Sequence, residues 1–68
     1  MTNVELLDLK IKESGLSPTA LAAAWGMSVP TFYSRKKGES EFTAPEIQAA
    51  TKTLGLTRAE RDAIFFAE

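Results

Sequence analysis

Residues 18–38 read Pro18-Thr19-Ala20-Leu21-Ala22-Ala23-Ala24-Trp25-Gly26-Met27-Ser28-Val29-Pro30-Thr31-Phe32-Tyr33-Ser34-Arg35-Lys36-Lys37-Gly38, and this stretch decides the fold. Ser17, just before it, offers a side-chain oxygen to free backbone N–H groups, and Pro18 has a φ already suited to a first helical position. A helix therefore starts here and runs to Gly26, where a left-handed residue costs little. Met27 then points inward. Ser28 caps a second helix whose first turn holds Val29 and Pro30, where a missing proline N–H does no harm. That helix closes before Gly38.

Small and large residues are placed around this turn in a particular way. Ala22 stands four residues before Gly26, so a side chain no larger than a methyl sits where two helices must approach closely at a steep angle. Leu21, Trp25, Met27 and Phe32 supply the apolar faces that meet behind the contact. The arrangement reads as a helix-turn-helix and resembles that of the Cro and phage-repressor (XRE-type) family. Ala22, Gly26, Met27 and Phe32 fall on the family's small, glycine, apolar and apolar positions.

At 68 residues there is room for one domain, residues 1–68, and one small core. Cysteine and histidine are both absent, which excludes disulfides, thiolate or imidazole metal ligands, and cysteine or histidine catalysis. No nucleophile and base are suggested by the remaining carboxylates: Glu39, Glu41 and Glu46 sit in a loop and at a helix start, where capping explains them. We expect no enzyme, no cofactor, no metal and no small-molecule substrate. No apolar run approaches the about 18 residues of a membrane span, and Met1-Thr2-Asn3-Val4-Glu5 lacks the regions of a signal peptide, so a cytoplasmic protein with no membrane partner is expected.

Outward from the central stretch, Thr2-Asn3-Val4-Glu5 has capping-box spacing and predicts a helix over residues 2–14, with Thr2 as its cap. Val4, Leu7 and Ile11 recur at helical spacing, Leu6 and Leu9 broaden the apolar face, and Gly15 stops the helix. Beyond Gly38, a polar loop carries Phe42 as its anchor. Thr43-Ala44-Pro45-Glu46 is a second capping box, opening a helix in which Ile47, Ala50 and Leu54 share a face up to Gly55. Thr57-Arg58-Ala59-Glu60 is a third, opening a last helix with Ile64, Phe65 and Phe66. No strand pattern competes. The fold predicted is all-α with five helices, and the resemblance to repressor domains, now spanning nearly the whole chain, implies a lambda-repressor-like domain with the motif at its second and third helices.

The same resemblance implies sequence-specific binding of double-stranded DNA by a small transcriptional regulator, with the helix 28–37 in the major groove. Phe32 faces the core, so the outward residues Ser28, Val29, Thr31, Tyr33 and Ser34 are the candidate base readers, through hydroxyls and methyl contacts. Tyr33 is the sharpest of them, since a tyrosine on the outer face of a short helix has no core to fill. Ser17, Thr19, Lys36 and Lys37 are the candidate phosphate contacts, which fix register without specifying sequence. Lys10, Lys12, Lys52 and Arg58 read as solvated surface. A net charge of −1 lowers non-specific affinity, which rests on released counterions.

A homodimer is expected at least on DNA, because one short helix makes too few base contacts and repressor-like proteins place two copies on half-sites one helical turn apart. In Ile64-Phe65-Phe66 the side chains point about 100° apart around a helix. A small core takes one or two of them, Ile64 first, against Leu54 and Leu56. Phe66 or Phe65 is left exposed, and both are candidate dimer contacts. A different class of function stays open beside this one: a protein-interaction module on the same fold that no longer binds DNA and presents Tyr33 or the Phe65-Phe66 end to a partner.

Overall fold

The computed structural model describes residues 1–68 as five helices and no strands: α1 (Val4–Ser14), α2 (Pro18–Ala24), α3 (Val29–Lys36), α4 (Ala44–Leu54) and α5 (Arg58–Phe65). None is long and apolar enough to cross a membrane. Each start is set by a side chain that accepts a hydrogen bond from an otherwise unpaired N–H three residues on. Ser17 Oγ accepts from Ala20 at 3.1 Å, Ser28 Oγ from Thr31 at 3.3 Å, Thr43 Oγ1 from Glu46 at 3.4 Å and Thr57 Oγ1 from Glu60 at 3.1 Å. Glu46 and Glu60 return the bond to the threonine N–H, completing both expected capping boxes.

The first helix departs from expectation. Its cap is Asn3, whose Oδ1 accepts from the Leu6 N–H at 3.1 Å, and Thr2 is 8% exposed with no partner for its hydroxyl. The reason lies at the other end of the chain: the Asn3 N–H donates to the Ile64 carbonyl at 2.6 Å, so the segment before α1 is tied to α5 and Thr2 is drawn against the interior. Leu9, expected to widen the apolar face of α1, is half exposed at 50%, while Leu6 packs on the core.

α2 packs on α3 and α4, and α1 lies across α3, α4 and α5, giving a body of 26 × 23 × 20 Å. The turn after α2 holds Gly26 at φ +70, with Trp25 just before it as the helix cap. A Cβ built on Gly26 would meet nothing within 4 Å, so the residue is glycine for its backbone conformation and not for space. Ala22, 2% exposed, accepts from the Met27 N–H at 3.0 Å and closes the turn from below.

Five of the six aromatic residues make a connected series through the interior. Tyr33 stands edge-on to Phe32 (5.4 Å between centroids), Phe32 meets Trp25 (5.4 Å), Trp25 meets Phe42 (5.9 Å) and Phe42 meets Phe65 (4.9 Å). Such tilted and edge-to-face pairs contribute about 0.5–1.5 kcal/mol each beyond the area they bury. Phe42 thereby fastens the α3–α4 loop, as its placement in a polar stretch predicts. Phe65 belongs to this core at 3% exposure, so of the two C-terminal phenylalanines Phe66 alone, at 58%, is free to meet another molecule. The expectation of Phe65 as a contact for a second copy is corrected on that ground.

Candidate functional site

The residues expected to read bases do not share one environment. Ser28 is exposed and Thr31 half-buried, and their hydroxyls are joined: Ser28 Oγ donates to Thr31 Oγ1 at 2.9 Å while accepting from the Thr31 N–H. The hydroxyl hydrogen of Thr31 is thus left for an outside acceptor. Tyr33 is exposed at 39%, its ring held at one edge by Phe32. Val29 is turned the other way, partly buried against the core.

Ser34 also points elsewhere. Its hydroxyl is hydrogen-bonded to Ser40 Oγ at 2.9 Å, and Ser40 accepts in addition from Arg35 Nη1 at 2.7 Å. Arg35 continues the network, donating from Nε and Nη2 to the two carboxylate oxygens of Glu46 at 2.8 and 3.3 Å. A bidentate pair of this kind holds geometry as well as charge. Burial pushes the Glu46 carboxyl up, but Arg35 and the Thr43 N–H outweigh it and hold it below the usual range. Glu46 therefore does two things at once: it caps α4 and fixes the last turn of α3 to it. Sequence reading assigns only the cap, because the pairing spans eleven residues.

The basic run Arg35-Lys36-Lys37 is divided in the same way. Lys36 Nζ lies 2.9 Å from Asp8 Oδ1 and 6.0 Å from the centre of the Tyr33 ring, and Asp8 also binds Lys12 at 3.1 Å. Hydrogen bonds from Lys36 and then Lys12 hold the Asp8 carboxyl below its ordinary value. Lys37 is exposed and forms no ion pair. Val4, Glu5, Asp8, Tyr33, Lys36 and Lys37 line a shallow cleft of about 350 Å³ between α1 and α3, so two carboxylates stand beside the lysines. On α2, Ser17 is the exposed cap and Thr19 is exposed without an intramolecular bond.

No family model, curated protein or solved structure matches the chain. Along α3 and its two caps, the polar groups left for an outside partner are the half-buried Thr31 hydroxyl hydrogen and the exposed Tyr33 and Lys37, with the exposed Ser28 bonded to Thr31 beside them. Lys10, read from sequence as solvated surface, is instead half-buried and bonded to Glu60 at 2.6 Å and to Glu13 at 3.4 Å, which ties α1 to α5.

Proposed function

We propose that the chain binds double-stranded DNA as a small transcriptional regulator, through a helix-turn-helix formed by α2 and α3, with α3 in the major groove. The supporting observation is the division of α3 into two sides: Phe32 is fully buried against Trp25, while its neighbour Tyr33, with Ser28, Thr31 and Lys37, is presented outward on a helix narrow enough for the groove. Ser28 and Thr31 supply a hydroxyl donor and acceptor pair, Tyr33 a ring and a hydroxyl, and Lys37 a charge for the backbone. Lys36 reaches phosphate once Asp8 lets it go. Two copies on half-sites about 34–36 Å apart supply the contact number that one helix lacks. Selection of bound sequences from random duplex DNA tests the reading. A selected motif with a two-fold repeat at one-turn spacing is expected, and recovery of unenriched sequence at low salt would overturn it.

A second reading, a protein-interaction module, has its own observation. Asp8 and Glu46 neutralise two of the three cations of the basic run, which leaves α3 with little free charge for phosphate. Binding that is absent in low salt, where counterion release favours any DNA contact, would select this reading instead.

A further inference from the structure

On α4, Ala44, Ile47, Gln48, Thr51 and Lys52 follow one another at the spacing of a single helix stripe, about 12 Å long at 1.5 Å per residue. The stripe is one wall of an open groove of about 810 Å³, closed on its other side by Phe42, Arg61 and Phe66. Its floor is apolar. Phe66 contributes the most exposed ring in the protein, and Thr51 spends its hydroxyl on the Ile47 carbonyl at 2.7 Å, so it brings no free donor.

The charge of this groove is opposite to that of the chain. Acidic residues outnumber basic ones nine to eight overall, yet no carboxylate lines the groove and two cations do. Lys52 is exposed and forms no ion pair. Arg61 binds Asp62 through Nε and Nη2 at 2.9 and 2.8 Å, which leaves Nη1 unspent.

We propose that the α4–α5 groove docks an acidic amphipathic helix of a partner protein, its apolar stripe on Ile47, Phe42 and Phe66 and its carboxylates on Lys52 and Arg61. A groove with one helix stripe as its wall suits an elongated occupant that lays an apolar face along that stripe. The stripe is about 12 Å long, so about eight helical residues of the docked segment lie against it. A second copy of this chain fits less well: a two-fold contact on this face brings the unpaired Lys52 of both copies to a groove that no carboxylate lines, Arg61 being already bound to its own Asp62, and like charges across an interface are repelled. None of the groove residues belongs to α2 or α3, so docking leaves Ser28, Thr31, Tyr33 and Lys37 uncovered and does not depend on the DNA reading.

The test is titration of the full chain into a fluorescein-labelled helical peptide of about 16 residues, glutamate on one face and leucine and phenylalanine on the other, beside the same peptide with lysine for glutamate. Fluorescence polarisation is expected to show the acidic peptide bound at least about tenfold more tightly, a preference that Lys52→Glu reverses. Lys52 is exposed and unpaired, so that variant keeps its fold; Phe66→Ser is the second variant, and the melting curves of both check this. In amide NMR spectra the resonances of residues 44–52 and Phe66 are expected to shift while those of α3 stay. Binding indifferent to charge, shifts confined to other helices, or a free protein that sediments as a dimer and is dispersed by Phe66→Ser would overturn the proposal.

Discussion

Phe32 and Tyr33 are adjacent in the chain and opposite in circumstance, one fully buried and one at 39% exposure, because successive helical side chains diverge by about 100°. Tyr33→Ala and Thr31→Ala are each expected to change the preferred base at one position of the selected motif, at about 1–3 kcal/mol where the contact is direct. Lys37→Ala weakens all sequences alike, since a phosphate contact carries no base information. Motifs from the Tyr33 and Thr31 variants identical to wild type would remove these side chains from the reading face. Ser34→Ala belongs elsewhere: it breaks the bond to Ser40 and acts on the loop. The two C-terminal phenylalanines differ as sharply. Phe65→Ala empties a core position and is expected to cost about 3–5 kcal/mol, read as a lowered denaturation midpoint. Phe66→Ala leaves the midpoint in place, because that ring is 58% exposed.

Between elements, the placement of α3 rests on α2 beneath it and on an ion pair at either side. Ala22→Leu puts a large side chain at the closed turn of α2 and α3, where overpacking costs about 1–3 kcal/mol, a large share of the stability of so small a domain. An unchanged melting temperature would mean that Ala22 does not lie under the turn. The ion pairs to Asp8 and Glu46 come from α1 and α4, so two other helices each spend a carboxylate on α3. Asp8→Asn is expected to release Lys36, raise the net charge by one and strengthen DNA binding several-fold at low salt, with the gain disappearing as salt screens the phosphates. A gel-shift series over salt concentration measures it, and equal affinities for variant and wild type at low salt would assign Lys36 no phosphate.

At the scale of the molecule, acid stability is set by carboxylates that bridge helices. Glu60 is pulled down to about 2, first by its hydrogen bond with Lys10 and then by the Thr57 N–H. A carboxylate with a lowered folded value adds stability above its ordinary value of 4.5, and that stability is lost as pH falls from there toward 2. Asp8 and Glu46 are shifted in the same direction and act with the same sign. Glu60→Gln keeps an oxygen for the Thr57 N–H and removes the charge. It is expected to flatten the fall in melting temperature between about pH 4.5 and 2, measured by circular dichroism beside wild type. An unaltered pH profile would show that the Lys10–Glu60 pair does not join α1 to α5 in solution.

What could be read from the chain alone was whatever depends on neighbours within a turn or two. Ser17, Ser28, Thr43 and Thr57 cap their helices because cap and N–H lie three residues apart, and Gly15, Gly26 and Gly55 end or turn them by backbone freedom that no distant contact supplies. Helical period also placed Leu7, Ile11, Leu21, Phe32, Ala50 and Ile64 inside. The tertiary structure decided what depends on distant partners. Thr2 lost the cap to Asn3 through a bond to Ile64; Ser34 turned from the outer face to Ser40; Lys36 was claimed by Asp8 and Arg35 by Glu46; and Phe65, not Phe66, met Phe42. A period of 3.6 residues fixes the angle between adjacent side chains but not where the rest of the molecule lies around them. Which phenylalanine is buried and which lysine stays free is therefore known only once the five helices are packed.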